Sequence, residues 1–161
     1  MTMDATRLIT ATRQALAQAA DVATAIAEAW QAQALAQAIG GCLAARGDAG
    51  LRDTARALFL AGGRTRDAAQ PPGARSPVIR AARLTGVRDP TAALRQLLAL
   101  LAETGAALAT LACTTEDERE YWQCVDALDA TDETRDRVRA LLRQCGAARP
   151  ESPGEAPPAP P

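Results

Sequence analysis

The chain has no histidine, no lysine and no asparagine, and among its 161 residues only Trp30, Phe59, Tyr121 and Trp122 are aromatic. The missing histidine excludes a Ser-His-Asp triad, a Cys-His nucleophile and every metal site built on imidazole. Glycine pairs occur at 40–41 and 62–63, but the phosphate-cradling pattern G-x-x-x-x-G-K-[ST] does not occur. No run alternates β-branched or aromatic residues with polar ones, so no strand is expected. The four cysteines, at 42, 113, 124 and 145, form neither a C-x-x-C pair nor a crowded disulfide scaffold, and reduced thiols are expected. Cys113 and Cys124 fall on the two arms of an expected helical hairpin, roughly 13 Å apart at about 1.5 Å rise per residue. A bridge needs Cα atoms within about 7 Å, so the pair is not expected to close.

Two further absences bear on location and partners. The opening "MTMDATRLITATRQAL" lacks an apolar h-region, and no run approaches the ~20 apolar residues that cross a bilayer. A cytoplasmic protein without membrane contact is the expectation. The formal net charge of −1 supplies no global electrostatic reason to bind nucleic acid or an acidic membrane.

What the chain has instead is alanine, leucine and arginine. Alanine and leucine supply most of its apolar residues, which predicts a core of closely spaced helices, since alanine is the best helix former and lets axes approach. The length suits one domain that buries a core without disulfides or metals. We expect an all-α single helical bundle of about five to seven helices over residues 1–146, followed by a disordered Pro-rich C-terminal tail over 147–161, "AARPESPGEAPPAPP".

Start and stop signals divide the bundle. Asp4 can cap a first helix with Leu8, Ile9 and Leu16 inward and Thr12 as a polar interruption. Asp21 can cap a second that runs to Gly47, with a possible bend at "IGG". "LRDTARALFLAGG" predicts a third, packing Leu51, Ala55, Leu58 and Phe59 and stopping at Gly62-Gly63. Residues 64–76, with Pro-Pro-Gly and no hydrophobic period, read as a surface loop, after which Ser76-Pro77 can start a short helix through Ile79, Ala82 and Leu84. Asp89-Pro90 repeats that signal ahead of the most apolar segment, Leu94 to Leu111, expected to be the central helix. Thr115 and Glu118 have capping-box spacing for a helix carrying Tyr121, Trp122, Val125 and Leu128. "DATDE" offers either a continuation or a break at which Asp132 caps a last segment ending at Gly146.

Three constellations could carry function. Residues three and four apart share a helix face, so Tyr121, Val125 and Leu128 are expected on one side, while Trp122 falls in a row with Glu118, Asp126 and Asp129. Trp30 and Trp122 could face one another across the bundle as walls of a ligand pocket, with Gln31, Tyr121 and Gln123 as polar anchors; the plainer reading is that both indoles fill volume that alanine and leucine leave empty. Asp126, Asp129 and, on a continuous helix, Glu133 could turn carboxylates toward a divalent metal, although such a site also needs ligands from a second helix. Otherwise they form a solvated acidic face.

Charge is segregated as well. Residues 64–88 carry arginines 64, 66, 75, 80, 83 and 88 against Asp67, whereas 103–133 carry nine carboxylates against Arg119. Arg64, Arg66, Arg75, Arg80 and Arg83 are therefore candidate contacts for a phosphate-bearing or acidic partner, because guanidinium pairs well with both. Mutual docking or plain solvation of the two regions is the alternative. Nucleic acid is disfavoured: no aromatic residue lies between Arg64 and Arg88 to stack on bases, and no helix-turn-helix pattern is present.

The stretches "AEAWQAQALAQAIG" (27–40), "IRAARLTGVRDPTAAL" (79–94) and "EYWQCVDALDATDETRDRV" (120–138) resemble an uncharacterised family of small all-helical actinobacterial proteins, a domain-of-unknown-function group. The resemblance spans most of residues 4–145 and implies no activity and no functional residues. From the residues themselves we expect a non-enzymatic protein-interaction module without a cofactor, binding a protein partner or self-associating. A small-ligand or divalent-metal-dependent binding protein or enzyme, using the tryptophans and the 126–133 carboxylates, is the competing expectation.

Overall fold

In the computed structural model, residues 3–69 and 79–147 are described, with side-chain surroundings for 3–61 and 79–146. The elements are β1 (Met3–Asp4), α1 (Ala5–Ala17), α2 (Val22–Arg46), α3 (Ala49–Ala69), a 3-10 turn (Arg80–Arg83), β2 (Leu84–Gly86), α4 (Pro90–Thr114) and α5 (Glu118–Ala147). The fold is an all-α bundle. Of the tail expected over 147–161, residues 148–161 lie outside the described residues, as does the Ser76-Pro77 start; of the loop expected over 64–76, residues 64–69 are instead helical in α3 and 70–76 lie outside the described residues.

Three of the five aspartate and threonine caps offered by the sequence form as read. Asp4, Asp21 and Asp89 each accept a backbone N–H of their helix's first turn, from Thr6 (3.3 Å), Thr24 (2.7 Å) and Ala92 (3.0 Å). Pro90 occupies the first turn of α4, where its missing donor costs nothing. The cap of α5 differs: Asp117, not Thr115, accepts the N–H groups of Arg119 (2.8 Å) and Glu120 (3.2 Å), while the Thr115 hydroxyl donates to the Glu120 carboxylate (2.7 Å). No second cap forms at Asp132, because α5 is one helix through "DATDE".

Three expectations about elements are corrected. α3 runs through Gly62-Gly63 to Ala69; glycine weakens a helix interior by about 1 kcal/mol, but a helix anchored on α2 and α5 continues past it. The short helix expected through Leu84 is a 3-10 turn followed by β2, which pairs in parallel with β1, Met3 opposite Leu84. Those strands are too short to show an alternating pattern. The Asp4 carboxylate ties this corner together by also accepting the Arg88 N–H at 3.1 Å. Hydrogen bonding, first from the Thr6 hydroxyl, holds its pKa below the ordinary carboxylate value. The cap's contribution is thus present above that ordinary value and is lost as acid takes the group through its lowered folded value.

The third correction concerns the centre. α2 packs against α1, α3, α4 and α5, whereas α4 packs extensively only against α1, α2 and α5, and the α2 residues Ala25, Ala29, Ala32, Ala34 and Ala36 are all buried along with Leu35 and Ile39. α4 contributes Leu94, Leu97, Leu100, Leu101 and Leu108. One core cluster joins α1, α2, α3, α4 and α5; a smaller one joins Val22, Ala25 and Ala29 to Leu108, Cys124 and Ala127. α4 is also long and apolar enough, by length and composition, to cross a bilayer, contrary to the expectation that no run comes close. A core helix of a soluble protein passes the same test, and 33% of the apolar window of α4 is buried in the bundle.

Gly40 explains why α2 can be the hub. A Cβ there would lie 2.9 Å from the Phe59 nitrogen and 3.0 Å from the Ala55 carbonyl oxygen, so the α2 and α3 backbones meet where only a hydrogen fits. The "IGG" motif is therefore a contact point. Buried threonines keep the same spacing elsewhere: Thr12, Thr104 and Thr131 each donate to the carbonyl four residues back, at 2.7–2.9 Å. An unmade bond at such a site would cost about 1–3 kcal/mol.

Gly40→Ala should lower the unfolding free energy by about 1–3 kcal/mol despite alanine's better helix propensity, since backbone atoms must move apart. Gly50→Ala, where an added Cβ meets nothing within 4 Å, should be neutral or raise it by about 0.5–1 kcal/mol. Urea denaturation followed by circular dichroism reads both.

Candidate functional site

α5 buries a line of residues that are small in its first half. Cys124, Ala127, Thr131, Thr134, Val138 and Leu141 repeat at three and four positions and face α2, α3 and α4. Of the residues expected to share one side, Val125 and Leu128 flank this seam and Tyr121 is exposed. Close helices leave room in the seam for cysteine, alanine and threonine; a Cβ on Gly105 of α4 would already touch Leu128 at 3.5 Å. Thr134 ties the seam to α2, its hydroxyl lying 2.6 Å from the Gln33 Oε1 and donating to it or to the Ala130 carbonyl at 3.0 Å.

Trp122 consequently points away from the bundle, about half a helical turn round from Cys124. It is 55% exposed and Tyr121 is 41% exposed, their rings edge to face with centroids 5.3 Å apart. An indole left in water forgoes on the order of 2 kcal/mol of burial. The pair is braced by its own contact and bordered by the exposed side chains of Glu118, Arg119, Asp126 and Asp129. Phe59 and Leu60 of α3 are the other large apolar side chains exposed among the described residues. Phe59 was expected inside; its ring instead lies against Gly41, with one side covered.

Trp30 is buried within α2 whereas Trp122 is exposed, so the two indoles sit in different environments. Gln31 is buried too, and its Oε1 accepts the Arg80 backbone N–H at 3.0 Å; it anchors the returning chain. Gln123 is half-buried on α5. Asp126, Asp129 and Glu133 are exposed along one helix, and among the described residues no three His, Cys, Asp or Glu side chains are grouped to hold a metal ion.

The arginine region separates in the same way. Arg80 pairs bidentately with Glu28 of α2, at 2.5 and 3.0 Å, and this bonding raises its pKa; the guanidinium is engaged within the fold. Arg83 is exposed. The side chains of Arg64 and Arg66, and all of Arg75, lie outside the described residues. The signal for the Glu28 pair was present in the sequence as the lone acidic residue of a long helix, which needs a cation once it is partly buried.

All four cysteines are free thiols. Cys124 is buried in the seam, and burial, with the Glu120 charge second, raises its pKa; Cys113 is exposed at the end of α4.

The fold and this surface together define a small all-α bundle with a solvent-facing aromatic pair. The chain belongs to a family of unknown function (DUF6099), which it matches over residues 3–144. No curated protein and no solved structure matches it.

Two outcomes test the geometry. Glu28→Gln should cost on the order of 1–2 kcal/mol in urea denaturation, because a part-buried guanidinium loses its charged acceptor. With a thiol-specific chromogenic reagent at neutral pH, Cys113 should react in the folded protein, whereas Cys124 should react only after unfolding.

Proposed function

We propose that this protein is a non-enzymatic helical interaction module whose contact surface is the Tyr121–Trp122 end of α5. The observation that carries the reading is the exposure of the chain's only tyrosine and one of its two tryptophans on the same turn, in a protein with four aromatic residues in all. Tryptophan and tyrosine are enriched among the few residues that carry most of the binding energy where proteins meet, because they bring large area at little entropic cost and keep a polar handle for a bond at the rim. The stable seam behind them holds them in place: Cys124 and Ala127 of the same helix are buried against α2 and α4. The neighbouring carboxylates favour a basic contact on the partner.

A photo-crosslinking amino acid at position 121, introduced in the host cell, should yield discrete adducts with protein. The same residue at Asp136, exposed on the other half of α5, should not. Trp122→Ala should leave the unfolding free energy within about 0.5 kcal/mol while weakening adduct formation roughly tenfold or more. Identical labelling from 121 and 136, or adducts indifferent to Trp122→Ala, would refute the reading.

A further inference from the structure

Charge points to the occupant of the Trp122 surface, an assignment that rests on the interaction reading just given. α4 separates two ends of opposite sign. Its 25 residues extend roughly 37 Å at about 1.5 Å each. Past its C-terminal end come Glu116, Asp117, Glu118 and Glu120, with Arg119 the one cation of that segment, and then the exposed Trp122. At its N-terminal end Arg83, Arg88 and Arg95 are exposed, and Arg46, at the end of α2, brings its guanidinium close to Gly86. The carboxylates of Asp4 and Asp89 in the same region are engaged as helix caps.

Guanidinium suits the Trp122 surface better than any other cation. It is planar, stacks on an indole face and still donates in its plane to carboxylates beside the ring. Arginine is the only basic residue type in this chain, and the net charge of −1 imposes little long-range repulsion between copies. We infer that the Trp122 surface docks a second copy of this chain, with the partner copy's Arg83 and Arg88 guanidiniums stacking on the indole and pairing with Glu118 and Asp126. An antiparallel arrangement of the two copies sets each acidic aromatic end against the other's basic end. Both docks then form at once, and the pair closes with two-fold symmetry.

Sedimentation velocity of the full chain tests this. A monomer–dimer equilibrium is expected whose Kd rises roughly tenfold or more between low salt and several times physiological ionic strength. Trp122→Ala should weaken it by a similar factor. Glu118→Arg and the double variant Arg83→Glu, Arg88→Glu, all at exposed positions, should each be monomeric by opposing like charges at both docks. Mixed in equal amounts they should dimerise, because one dock then carries the swapped charges and the other the natural ones. A chain that stays monomeric at every concentration in low salt, a dimer indifferent to salt and to these substitutions, or a mixture that stays monomeric would overturn the inference. Adducts of residue 121 with a different protein, from a chain that is monomeric alone, would overturn the self-docking assignment and leave the interaction reading standing; absence of any adduct would remove both.

Discussion

The close approach of α2 to its neighbours is the constraint on which the rest of the structure depends. A chain with one phenylalanine and one tyrosine cannot fill wide spaces between helices, so the helices must come together until alanine and glycine suffice. Gly40 is the extreme case, where the α3 backbone occupies the place of a side chain. Interiors are packed about as densely as organic crystals, and any larger side chain at such a contact would push the axes apart. The buried alanines of α2, the small-residue seam of α5 and the threonines that bond back to their own helices are all accommodations to the same short spacing.

That spacing also decides where the large side chains go. The inner line of α5 takes cysteine, alanine and threonine in its first half, so the bulky Tyr121 and Trp122 stand on the flank and the outside. Polar residues follow the same logic. Gln31 and Gln33, buried in the hub helix, serve as acceptors that position the returning chain at Arg80 and the middle of α5 at Thr134. Residues that resemble the polar anchors of a ligand pocket are anchors of the fold.

Much of the architecture was legible in the sequence. Asp4, Asp21 and Asp89 cap as read because capping is a local interaction between a carboxylate and N–H groups two or three residues on. The helical period of Leu94 to Leu108 needs nothing from outside its segment either. The β1–β2 pair was not legible, since it joins residues some eighty positions apart through strands of two and three residues. Nor was the identity of the hub: α4 is richer in leucine, but α2 is buried on more sides because its residues are smaller.

The candidate surface divides along the same line. Sequence alone established that Tyr121 and Trp122 share a helical turn with a row of carboxylates, that arginine is the sole cation and that histidine-based chemistry is excluded, since composition and helical period depend only on the chain. Tertiary structure decided that Trp30 is buried while Trp122 is exposed, and that Arg80 is engaged by Glu28 while Arg83 is free to meet solvent. Which side of α5 turns inward is set by the distance to α2, α3 and α4, and a short distance selects the small side chains whatever the hydrophobicity of the large ones.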